Sequence, residues 1–123
     1  MIAIAKNVTE TEMPELAEFS LALVTMSDAE LLALNRSALA HDWFTDIITF
    51  EIERSDALLE AEIYLSVDRA MASARRFRQT VELEMLHLVI HGVLHLAGYD
   101  DKSREGKKQM RARERWYLVR FRS

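Results

Sequence analysis

The sequence predicts an α+β protein, a small mixed β-sheet packed against helices. Three observations carry this. Apolar, β-branched stretches come mainly in the first half of the chain and helical patterns dominate the second. A Ser27–Glu30 capping-box arrangement marks a helix start between two strand-like runs. The 123 residues are 50% hydrophobic and 29% charged, which suits a single domain over residues 1–123 with one core.

The elements follow in order. Residues 2–17 read as a short strand and an irregular segment around Pro14. Residues 18–26 are an apolar run bounded by polar residues, hence a strand. A helix after Ser27 places Leu31, Leu34 and Asn35 at helical spacing and runs to about Ala38. Residues 45–52 are β-branched and aromatic, and 62–67 form a further strand. Asp68 to Gln79 reads as a helix with Ala70, Met71, Ala74 and Phe77 on one side. A helix from about Val81 to Ala97 comes next, and a basic amphipathic helix anchored by Met110, Trp116 and Tyr117 closes the chain.

Composition excludes several chemistries. The absence of cysteine removes disulfides and every thiolate site and fits a reducing cytoplasm. No apolar run approaches the ~18–20 residues that cross a membrane, and residues 1–7 lack the pattern of a secretory signal. The six methionines are read as core packing. Net charge is −4, yet residues 102–122 hold nine basic side chains against Glu105 and Glu114. Such a split points to a basic face able to meet a polyanion.

The informative stretch is His87 to Asp101. His91 and His95 stand four apart, so a helix presents both imidazoles on one face, where they can chelate one ion. Gly98 can end that helix in a left-handed conformation and turn the chain back to offer Asp101 as a third ligand, with Asp100 its competitor. The pattern H-x-x-x-H-x-x-G-x-x-D is distantly similar to the metzincin signature. Gly92 stands where those proteases carry their general-base glutamate, which argues against peptide hydrolysis. His87 continues the row and is read as a neighbour of the site, and His41 as a turn or site-lining residue.

Residues His91-Gly92-Val93-Leu94-His95-Leu96-Ala97-Gly98-Tyr99-Asp100-Asp101 resemble the H-G-x-L-H-L-x-G-Y-D-H signature of the YbeY family, metal-dependent endoribonucleases of bacterial rRNA maturation. Leu34-Asn35, residues 45–50, residues 61–66, Glu84, Met110 and Glu114 extend the resemblance over about residues 19–118. Two departures stand out. Asp101 replaces the usual histidine, as in one branch of the family, and Leu39 occupies a position where an arginine is common. The family usually places an amphipathic helix ahead of the first strand, which here is expected to be truncated or replaced.

The resemblance implies a cytoplasmic endoribonuclease acting on single-stranded RNA in 16S rRNA 3′-end maturation and ribosome quality control on the small ribosomal subunit, with no membrane partner. One Zn²⁺ per chain would sit on His91, His95 and Asp101, which would act in catalysis through water on the ion. Arg75, Arg76 and Arg78, with the basic face of the last helix, are candidate RNA contacts. Trp43, Phe44 and Tyr99 are candidate stacking residues, and Asp46, Glu62 or the RNA 2′-hydroxyl candidate bases. The alternative is a ribosome-assembly factor that holds a metal with little catalysis.

Overall fold

The computed structural model describes residues 1–41 and 45–122. Three strands, β1 (Glu18–Met26), β2 (Ile47–Arg54) and β3 (Leu58–Ser66), form a sheet in the order β1-β3-β2. β1 runs parallel to β3 and β2 antiparallel to it, so the sheet is mixed. Around it lie α1 (Ile2–Glu12), α2 (Asp28–Leu39), α3 (Val67–Arg76), α4 (Val81–Leu96) and α5 (Arg104–Arg122).

The period of two shows best in β3. Leu59, Ala61, Ile63 and Leu65 are buried and alternate with Glu60, Glu62 and Tyr64. β3 begins four residues earlier than expected, because its first half pairs with β1 from Leu58 onward. A Glu between Leu59 and Ala61 hides that extension in a reading based on apolar runs. Ser27 caps α2 as predicted: its hydroxyl accepts from the Glu30 N–H, and the Glu30 carboxylate accepts from the Ser27 N–H.

The N-terminal expectation is corrected. Residues 2–12 form an 11-residue helix and not a strand. Ile4, Ala5, Val8 and Thr9 are its buried face, and α1 packs on α4. No side chain caps its start, and its β-branched residues have poor helix propensity. Packing on α4 stabilises it in place of local signals. Its last residue is the fastening point. Glu12 accepts from the Tyr99 hydroxyl at 2.8 Å, from Arg113 Nε at 2.8 Å and from the Tyr117 hydroxyl.

A second correction concerns α3. Ala70 and Ala74 are buried against α4, but Met71 and Phe77 are exposed. The helix ends at Arg76, and Arg78 takes a left-handed conformation (φ 54°), so Phe77 leaves the apolar face.

α4 is the central helix. Met85, Val89, Ile90, Val93, Leu94 and Leu96 are buried beneath α1, α3, α5 and the sheet. At Gly92 an added Cβ would come within 2.8 Å of the Ile47 methyl and 3.3 Å of Ile63, so helix and sheet approach closely at this position. Among the half-buried residues of α4 is the row His87, His91, His95. Arg54 of the β2–β3 hairpin donates to the Leu96 carbonyl at 2.5 Å and so ties the sheet to the end of α4. No helix of the described residues is long and apolar enough to cross a membrane.

Candidate metal centre

His91 and His95 project from α4 one turn apart, as their spacing requires. α4 stops where Gly98 adopts φ 104° and the Tyr99 N–H bonds back to the Leu94 carbonyl at 3.0 Å. The returning loop brings Asp101 to the two imidazoles. His91 Nε2 and His95 Nε2 are 3.0 Å apart, and Asp101 Oδ2 lies 3.5 Å from the first and 3.4 Å from the second. Asp100 does not join them; its carboxylate accepts from the Lys102 N–H at 2.8 Å and shapes the loop.

These distances test the site against a metal. Four-coordinate zinc with bonds of ~2.0–2.1 Å has donor atoms about 3.3 Å apart along each tetrahedral edge. The three observed edges bracket that value. All three donors are of the N and O types zinc accepts, and among the described residues no fourth carboxylate or imidazole closes the set. The residues therefore fit an ion with an open position.

Glu114, buried on α5, braces this triangle. Its carboxylate accepts from His91 Nδ1 at 2.5 Å and from His87 Nε2 at 3.1 Å. An ionised carboxylate has no proton to give, so the His91 proton sits on Nδ1 and Nε2 keeps its lone pair toward His95 and Asp101. Burial would raise the Glu114 pKa, but the hydrogen bonds and charge of His87 and His91 overcome it and hold it at about 2. The same bond raises the His87 pKa. Burial would lower that of His91; Glu114, aided by Asp101 and Asp46, raises it instead. The sequence could have offered Glu114 only through family resemblance, since nothing in its local pattern pairs it with a residue 23 positions earlier.

A cleft of about 520 Å³ opens over the triangle, lined by Asn35, Leu39, His41, Asp46, His91 and Asp101 among others. Half-buried His41 thus lies at the site's edge, and Leu39 reaches the cleft from α2. Asp46 lines this cleft, a second one running past His87 and Glu114, and a third bordered by Arg76. Glu62 points to the other face of the sheet, where it accepts from the Tyr64 hydroxyl at 3.0 Å. Arg75 and Arg78 are exposed and line none of these three clefts. Tyr99 is committed to Glu12, and Trp43 and Phe44 lie outside the described residues. Gly92 faces the sheet, so the residue beside His91 supplies packing and no carboxylate.

Comparison with known proteins agrees with this geometry. A family model described as endoribonuclease YbeY matches residues 1–122. A YbeY endoribonuclease of Cytophaga hutchinsonii is 43% identical over 88 residues, 72% of this chain and 62% of that protein. One from Chlorobium limicola is 42% identical over 88 residues, 72% of this chain and 60% of that protein. The chain thus spans about three-fifths of the length of these curated relatives. The solution structure of TM1509 from Thermotoga maritima has a TM-score of 0.62 at 30% identity, over 95% of this chain and 78% of that one.

Proposed function

The chain belongs to the YbeY endoribonuclease family, and we propose that it is a metal-dependent endoribonuclease of single-stranded RNA, working as one domain in 16S rRNA 3′-end maturation and quality control of the small ribosomal subunit in the cytoplasm. The observation that carries the reading is the triangle of His91, His95 and Asp101, whose edges match a tetrahedral zinc site with a side left open. When bound there, zinc supplies Lewis-acid charge for a phosphoryl oxygen and a water of lowered pKa.

The chain's own residues have separable tasks. His91, His95 and Asp101 hold the ion, and Glu114 orients His91 by taking its Nδ1 proton. Asp46 is the carboxylate proposed to accept a proton from the attacking oxygen, since it lines three clefts, two of which reach His91, and its charge acts on His87 and His91. Hydrolysis forms one P–O bond and breaks another, and that proton ends on the leaving oxygen. Arg76, bordering the cleft beside Asp46, exposed Arg75 next to it, and Arg78 just past the end of α3 are the proposed phosphate contacts.

One observation favours a second reading, an assembly factor with little catalysis. Leu39 stands in the cleft where family members commonly carry an arginine, and a cation there would offset transition-state charge. Cleavage of a labelled single-stranded RNA decides between them. Wild-type protein is expected to cleave it, to stop on chelation and to recover with zinc. Folded His91→Ala, purified in parallel, is expected to be inactive. Equal activity of the two proteins, or none in either, would remove the catalytic reading.

A further inference from the structure

We propose that one exposed face of α5 is a docking surface for the phosphate backbone of RNA, flanking the metal centre but separate from its clefts. The proposal rests on the RNA-processing reading above and adds where the RNA is held.

Arg104, Lys107, Lys108, Arg111 and Arg115 are all exposed and together line a groove of about 590 Å³ with Ala112. At 100° per residue they share one face of α5, and from first to last they span about 16 Å. None of the five lines either cleft that reaches His91. The stripe lies about a quarter turn round the helix from Glu114, which braces His91 from the buried side. RNA held on the stripe is therefore carried alongside the site without occupying it.

The five charges have no other employment among the described residues. Of the other α5 cations, Arg113 donates to Glu12, and Arg120 stacks on Trp116, 3.4 Å from the ring centroid. No carboxylate interrupts the stripe. Glu105 accepts from Gln109, and Glu114 is buried. The chain as a whole carries −4, so this concentration of positive charge opposes the sign of the molecule. A polyanion finds attraction at the stripe against a repulsive background.

The lining favours a nucleic-acid backbone over an anionic membrane. A helix lying on a bilayer inserts large apolar side chains beside its cations, and the only apolar residue in this groove is Ala112. Five cations without aromatic or amide partners give charge-driven contact that does not read sequence.

The test is fluorescence anisotropy with a labelled, fully 2′-O-methylated 20-nucleotide single strand, which cannot be cleaved through its 2′-hydroxyl, over a KCl series. Wild type is compared with the Arg104→Gln, Lys107→Gln, Lys108→Gln, Arg111→Gln, Arg115→Gln combination. A Lys107→Gln, Lys108→Gln, Arg111→Gln variant serves should the larger one fold poorly. The five-site variant is expected to bind at least tenfold more weakly at 100 mM KCl. Its slope of log affinity against log salt should be shallower by about 3.5, at ~0.7 per phosphate contact. Equal affinity and slope in wild type and stripe variants would overturn the proposal. So would stripe-dependent binding to phosphatidylserine vesicles with stripe-independent binding to RNA, or no RNA binding by wild type. Stripe-dependent binding without any cleavage would refute the catalytic reading alone.

Discussion

Glu114 shows how much one side chain can decide. It lies on a different helix from the histidines, yet its bond to His91 Nδ1 sets which nitrogen faces Asp101. Glu114→Gln is expected to leave the chain folded and lower zinc affinity by about 10–100-fold, measured by competition with a chromophoric chelator. Unchanged affinity would remove its orienting role. Glu12 is the second such residue. Burial would raise its pKa, but bonds from Tyr117, Tyr99 and Arg113 lower it below the ordinary carboxylate value. A depressed folded-state pKa contributes stability above the unfolded value and loses it as pH falls through the folded one. Wild type should therefore lose melting temperature more steeply than Glu12→Gln between pH 6 and pH 3. At pH 7 Glu12→Gln should be less stable by about 1–3 kcal/mol. Parallel pH curves would show that Glu12 is not ionised in this cluster.

Among the elements, the α4–α5 connection governs the site. Two glycines permit it for different reasons. Gly98 takes a positive φ that turns the chain back, whereas Gly106 makes room. A Cβ on Gly106 would fall 2.1 Å from the Asp100 carbonyl oxygen, and the backbone there has no flexible end to give way. Alanine is the better helix former, so propensity alone predicts that Gly106→Ala stabilises α5. The structure predicts the reverse. The loop bearing Asp101 must shift, and zinc affinity should fall at least tenfold with no ligand altered. Isothermal titration of folded variant and wild type checks this; equal affinities would show that the loop adapts.

For the whole molecule, the question is whether the metal holds the fold or the fold holds the metal. The core of α1, α4, α5 and the sheet is continuous without the three donors, each of which is partly exposed. The metal-free chain is expected to fold, with a cooperative thermal transition. Zinc at 1,000 times its dissociation constant should then add about 4 kcal/mol. A chain that unfolds on chelation at 25 °C would instead mark the metal as structural, and the assembly-factor reading would gain.

Much of this was legible in the amino-acid order. The His91–His95 spacing, the Gly98 stop and the Asp101 offset are local geometry, fixed by helix pitch and by glycine's freedom at positive φ, and the structure brings those three residues together. The Ser27–Glu30 box and the β1 limits are equally local. What the sequence could not carry was decided by contacts between distant elements. Residues 2–12 are helical because α4 offers an apolar surface, in spite of their own weak propensity. Phe77 is exposed because α3 ends one residue before it. Asp46 reaches the site because it stands just before β2, in the cleft wall shared with His91, whereas Glu62 lies within β3 and bonds Tyr64, and Glu114 braces His91 because α5 packs beside α4. Periodicity and spacing report forces within a few turns of chain; partners tens of residues apart meet only when the core closes, and the tautomer, the open coordination side and the cleft walls are all set by those partners.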